Sequence, residues 1–188
     1  MEFVNEGIIK LDKELNELDK FVLDFCRILE KHTKYMIVSG YVIILFGRSR
    51  GTEDVDVFIK EMKKQDFNKL FEELEDKGYE CINTSKRDAF EELNEDIPLR
   101  FAKKNQFVPN IEIKLAKRPL DIHFLEKPLR VILSEGELRI SFIEPQIAFK
   151  EVCLGSKKDI EDAYYLRKVF EGKINKEKID YYKREFSK

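Results

Sequence analysis

Tryptophan is absent from this 188-residue chain, and cysteine is scarce, present only as Cys26, Cys81 and Cys153. Three cysteines, odd in number, far apart and without metal-site spacing, exclude a disulfide framework, and each is expected to be a reduced core residue of a cytoplasmic protein. Long apolar runs are missing as well. No stretch approaches the roughly 18 consecutive apolar residues of a membrane span, and the acidic N-terminus lacks a signal-peptide pattern, so no membrane partner is expected. Nor does one sign of charge dominate. The 35 Lys and Arg against 37 Asp and Glu leave a formal net charge of −2, which argues against indiscriminate nucleic-acid binding because that needs a basic surface. Internal repeats and low-complexity tracts are also absent.

What is present is apolar bulk and dense, balanced charge. Hydrophobic residues make up 43%, with 15 Phe, and charged residues 38%. That suffices for one substantial core, or for a catalytic domain of about residues 1–140 with a helical segment over 141–188 packed on it. The Lys and Glu enrichment resembles thermophile usage.

The chain is organised around Tyr35 to Lys60, YMIVSGYVIILFGRSRGTEDVDVFIK. Met36, Ile37 and Val38 read as a strand, Ser39-Gly40 as a turn open to close backbone approach, and Tyr41 to Phe46 as a short buried helix stopped at Gly47. Arg48, Ser49, Arg50, Gly51 and Thr52 make a loop rich in donors. In the strand that follows, Asp54 and Asp56 alternate with Val55 and Val57, so the carboxylates leave one face while the valines enter the core. Two carboxylates held about 7 Å apart on one strand suit a hard divalent cation, which favours oxygen ligands and substrate phosphates. Across the turn, Ser39, the amide of Gly40 and the helix start at Tyr41 offer donors to phosphate.

This order of small-residue turn, helix ending in Gly, basic loop and Asp-hydrophobic-Asp-hydrophobic resembles the polymerase-beta-type nucleotidyltransferase superfamily. It looks most like its minimal prokaryotic members and, more distantly, the tRNA CCA-adding enzymes. The resemblance covers residues 36 to 59 specifically and 109 to 171 loosely; Ser39 stands before Gly40 where the family more often has Gly first. It implies an α+β fold, a mixed β-sheet flanked by helices with a C-terminal helical segment. It further implies transfer of a nucleoside monophosphate from an NTP to an acceptor hydroxyl, with two Mg²⁺ ions or with Mn²⁺. Asp54 and Asp56 would hold the metal, and Glu112, where many relatives have Asp, would complete the site as third carboxylate and help take the acceptor proton. Asp121, in PLDIHF, competes for that role, and Glu112 is favoured because its flanks are cleaner β sequence. Ser39 and Gly40 would contact phosphates, with Arg48, Arg50 and Thr52 assisting. Lys150 either reaches the triphosphate or pairs with a helix neighbour. The acceptor stays open between RNA, protein and small molecule. A nucleotide-binding or interaction protein without turnover, a homodimer, and a toxin–antitoxin partnership are the rival expectations.

Elsewhere, periodicity predicts helices over residues 10–31, 64–77, 85–95, 144–154, 157–170 and 176–186. Strands are expected over 79–82, 98–103 and 110–116, with a hairpin turning at Glu135-Gly136 and short strands or loops from Leu120 to Ile140. His32 and His123 are expected to be structural.

Overall fold

The structure, a computed structural model, describes residues 1–51 and 54–188. The central segment forms as its pattern dictates. Strand β3 (Tyr35–Ile37) leads into the six-residue helix α2 (Gly40–Leu45), and strand β4 (Asp54–Ile59) follows antiparallel to β3. For these strands to be numbered three and four, two must precede them. Residues Glu2–Asn5 (β1) and Ile8–Lys10 (β2) form a small antiparallel pair that the periodicity did not suggest, being short and half exposed. Helix α1 (Glu17–His32) therefore starts later than residue 10. Its start is set by Asn16, whose side chain accepts from the Asp19 amide at 2.9 Å while the Asp19 carboxylate accepts from the Asn16 amide at 3.0 Å, a capping box. At the far end of α1, His32 Nε2 lies 2.7 Å from Glu73 Oε2.

Helix α3 (Lys64–Asp76), strand β5 (Tyr79–Cys81), helix α4 (Lys86–Asn94) and strands β6 (Leu99–Lys103) and β7 (Asn110–Leu115) follow. Residues 119–126 depart from the expected strands or loops, for Pro119–Glu126 is helix α5. Proline at its first position has a backbone angle already suited to a helix, and Asp121 in the first turn complements the dipole. The hairpin is β8 (Leu129–Leu133) with β9 (Gly136–Ile140), and α6 (Ile143–Phe149) follows it. Where α6 was expected to run on to 154, Lys150–Leu154 widen into a π-helical turn that ends at Gly155 with φ of 64°. Helices α7 (Lys157–Val169) and α8 (Lys176–Phe186) complete the chain.

Among the described residues, nine strands join one mixed sheet in the order β1-β2-β8-β9-β3-β4-β7-β6-β5. The centre of the sheet, β4 and β7, is parallel and in full register from Asp54 opposite Asn110 to Ile59 opposite Leu115. One face is dry: Val55, Val57, Ile111 and Ile113 pack with Phe25, Val22 and Leu70 of α1 and α3. The other face carries Asp54, Asp56, Phe58, Glu112 and Lys114, and a smaller cluster of Met36, Ala116, Phe124 and Leu125 lies there, with Phe58, Tyr182 and Phe186 against it. Thus α5 and α8 cover only part of the polar face. Buried Ala163, Leu166, Phe170 and Ile179 join the larger core. All three cysteines are free, but only Cys26 is buried; Cys81 is half-buried and Cys153 exposed.

Candidate active site

Two residues of β4 and one of β7 define the site. Parallel register sets Asp56 directly beside Glu112, on the face that α1 and α3 leave uncovered. Asp56 and Ser39 line a common cavity of about 250 Å³. The convergence follows from backbone pairing: the Val38 amide donates to the Asp56 carbonyl at 3.0 Å, so the turn after β3 begins beside the carboxylates of β4.

The carboxylates are bound to cations already present in the chain. Lys114, two residues along β7 from Glu112, places its ammonium 3.0 Å from Asp56 Oδ1 and also pairs with Glu112 Oε1. Arg100, opposite Glu112 on β6, donates to Glu112 Oε2 at 2.8 Å. Burial by itself would raise the Glu112 carboxyl, but Lys114 and Arg100 outweigh it and hold the group below the usual carboxylate range. For Lys114 burial works the other way, and Glu112 and Asp56 outweigh it to keep the ammonium more firmly protonated than usual. Among the described residues no three His, Cys, Asp or Glu side chains gather as a metal-binding group. Yet the donors are all oxygen, as Mg²⁺ requires, and the Lys114 ammonium between Asp56 and Glu112 marks a position where a cation is favoured. Asp56 fits a divalent ion on that ground, in place of the ammonium; Glu112, with both oxygens engaged, fits it less well.

Ser39 holds φ of 62° and ψ of −130°, a region that favours glycine, and its amide donates to Gln146 Oε1 at 3.2 Å. Gly40 lies against Arg50: a Cβ there would sit 3.2–3.5 Å from its guanidinium and press it a few tenths of an ångström aside. Thr52 lies outside the described residues. The remaining basic residues named from the sequence meet elsewhere. Arg48, Arg50 and Lys150 converge on Asp162 of α7, a fully buried carboxylate. Lys150, 1% exposed, sits 2.9 Å from Asp162 and 3.3 Å from Asp159, and Arg48 also reaches Glu161 at 2.9 Å. Of the two roles weighed for Lys150, the geometry holds the helix-neighbour pairing. The Nε of Arg50 is buried without a partner beside Gly40, so that guanidinium retains a donor at the turn.

Asp121 is not on a strand. It lies on α5, and Arg118 donates to both its oxygens at 2.7 and 3.1 Å, while the residue also lines the cavity. His123 is exposed, its ring edge-on to Phe124 at 5.8 Å. Sequence reasoning gave no role to Lys114, Arg100, Arg118, Gln146 or Asp162. Lys114 and Arg118 had a signal, since each has an opposite charge two or three residues away. Arg100 and Gln146 had none, because only strand pairing and the docking of α6 bring them in.

No family model and no curated protein matches the chain. Solved structures do. The lincosamide antibiotic adenylyltransferase LnuA, determined with lincomycin, superposes with a TM-score of 0.51 at 14% identity, over 84% of this chain and 99% of its own. ANT(2'')-Ia in complex with adenylyl-2''-tobramycin gives 0.54 at 12% identity, over 89% and 95%. An antigenic nucleotidyltransferase-like protein from Paracoccidioides brasiliensis gives 0.51 at 14%, over 87% and 84%. At such identities the likeness is one of fold. The mixed sheet flanked by helices that the resemblance implied is therefore the fold shared with these nucleotidyltransferase structures.

Proposed function

We propose that this protein transfers a nucleoside monophosphate from an NTP to an acceptor hydroxyl. The observation that supports it most is the meeting of Asp56, with Glu112 beside it in register, and the Ser39 turn around one cavity. The acceptor oxygen would bond to the α-phosphorus as the bond to the β-phosphate oxygen breaks, and pyrophosphate would leave. Asp54 and Asp56 would hold Mg²⁺, or Mn²⁺; such an ion, when bound, neutralises charge on the attacking and leaving oxygens.

The chain's own residues would do the positioning. Lys114 and Arg100 keep Glu112 anionic and fixed, which makes it a weak base and a firm support for Lys114. Asp56 lines the cavity, and its contact with Lys114 runs through one oxygen, Oδ1, whereas Glu112 has both oxygens engaged, so Asp56 is the better place for the acceptor proton. Ser39, Gly40 and the unpartnered Nε of Arg50 would meet the phosphates, Arg being suited to phosphate oxygens. Arg48 and Lys150, paired with Asp162, would hold the basic loop in place. Two of the similar structures, an adenylyltransferase with lincomycin and ANT(2'')-Ia with adenylyl-2''-tobramycin, hold small molecules, which favours a small-molecule acceptor over RNA or protein.

Asp56→Ala tests the reading. With labelled NTPs, Mg²⁺ and cell extract, the variant is expected to lose transfer by about 10²–10³-fold or more while its melting stays close to wild type. Undiminished incorporation would refute the mechanism. A second reading, nucleotide binding without turnover, is favoured by the Lys114 ammonium standing between Asp56 and Glu112. Calorimetry with NTP, with and without Mg²⁺, separates the two, because only the transferase releases pyrophosphate.

A further inference from the structure

The cavity beside Asp56 has a composition that the transfer chemistry does not require. Its walls are mainly apolar, built from Val38, Phe58, Phe124, Phe149, Leu154 and Phe186, and at about 250 Å³ it falls just below the usual range of small-molecule sites. The charged residues around it cancel. Lys114 is engaged by Asp56 and Glu112. Arg118 is engaged by Asp121 through two hydrogen bonds, with the Phe149 ring 5.5 Å from its guanidinium carbon. Among the described lining residues, then, two cations meet two carboxylates, Asp56 and Asp121, and no cation is left to receive an acceptor phosphate. An RNA end would bring such phosphates, and a net charge of −2 gives the wider surface no excess of positive charge to attract them. A charged acceptor lying against the apolar part of the wall would find no unpaired partner among the described lining residues, which is costly there.

From this we infer that the cavity binds the acceptor, an uncharged small molecule with an apolar, ring-sized body and a hydroxyl directed at Asp56. The inference rests on the transferase reading for the fate of the hydroxyl, but the binding itself does not. Aromatic walls such as Phe124 and Phe149 favour a flat body, and Asp56 supplies the acceptor for the hydroxyl proton. Phe124 of α5 and Phe186 of α8 line the cavity and pack with Met36, giving a body of ring size an apolar surface on two sides.

The probe is 2-naphthylethanol, titrated by calorimetry into the wild-type protein and into Leu154→Trp and Leu154→Glu. Leu154 lines the cavity yet is 45% exposed, so both changes should leave the fold intact, as melting curves will verify. One fills the mouth and the other puts a charge there. Wild type should bind the alcohol with one saturable site, and both variants should bind it at least tenfold more weakly. The inference is overturned if wild type shows no saturable binding or if both variants bind the alcohol as well as wild type does. Displacement of the alcohol by MgATP would assign the cavity to the nucleotide base, and displacement by an RNA octamer would assign it to RNA; either also overturns it. Alcohol binding without any MgATP binding would sink the transferase reading and leave the cavity's chemistry standing.

Discussion

A single backbone conformation separates this chain from the usual form of its motif. Ser39 sits at φ of 62°, where a residue bearing a Cβ is strained by about 1–3 kcal/mol, and it stands where glycine is more often found. Ser39→Gly should relieve that strain at a cost of about 0.4–1 kcal/mol in added unfolded-state entropy, leaving stability unchanged or slightly improved in urea melts. Ser39→Val should cost at least about 1 kcal/mol, because a β-branched residue tolerates this region worst. If Ser39→Gly is stable but transfers nucleotide poorly, the hydroxyl acts on the phosphates; if it transfers normally, the hydroxyl has no part in transfer. At this scale the sequence was informative about direction and silent about neighbours. Period-two alternation put Asp54 and Asp56 on one face and Glu112 and Lys114 on one face. That the two faces coincide, with Arg100 opposite Glu112, comes from strand pairing between residues far apart in the chain.

Among the elements, α7 and the π turn hold the basic loop. Asp162 receives Arg48, Arg50 and Lys150 at a position without solvent. Breaking a buried ion pair by removing one partner leaves an uncompensated charge, which typically costs about 3–5 kcal/mol, so Asp162→Ala should lower the melting temperature strongly. Restoration of stability by a second change, Lys150→Met, would show that the buried ammonium was the cause. Glu151 ties the π turn to two helices: Arg167 of α7 donates to it at 2.9 and 3.1 Å, and Lys183 of α8 pairs with it. Burial would raise this carboxyl, but the two cations outweigh it and bring it below its ordinary value. A depressed folded value means the stabilisation is present above the unfolded value of about 4.3 and is lost as pH falls through the folded one. The melting temperature of wild type should therefore drop as pH falls below about 4.3, and Glu151→Gln should show a shallower drop. Equal slopes would remove Glu151 from the acid response. Helices α3, α7 and α8 were legible because 3.6-residue periodicity survives any tertiary arrangement. Helix α5 was not, since eight residues carry too little periodicity to outweigh the prolines read as turn signals.

Across the molecule, the sheet is dry on one face and only half covered on the other, and α8 closes one end of the cavity. Phe186 packs on Met36 and Phe124 from the far end of the chain. Because it is only partly buried, Phe186→Ala should cost about 1–3 kcal/mol, less than truncation of a fully buried Phe. It should also enlarge the cavity, so a bulkier alcohol should bind the variant better than wild type; stability loss without that change in size preference would detach α8 from the cavity. The division into residues 1–140 and 141–188 is best taken as a proposal about folding units, since buried Leu166 and Phe170 share the larger core with β3 and α1.

What the sequence determined by itself was local: alternation, turn chemistry and helix stops, which set the order of elements from β3 to β4 and the face on which the aspartates emerge. Those signals depend on neighbouring residues and on the periods of the two backbone conformations. What tertiary structure alone decided was which charges are already paired. Lys114, Arg100, Asp162 and Arg118 draw the carboxylates and cations of the motif into ion pairs through contacts from strand pairing and helix docking, and the apolar cavity beside Asp56 exists only because α5, α6 and α8 fold over one end of the sheet. Electrostatic pairing acts over a few ångströms in space regardless of separation along the chain, and so no local pattern could announce the pairs between distant elements, Lys114 with Asp56 and Asp162 with Arg48, Arg50 and Lys150.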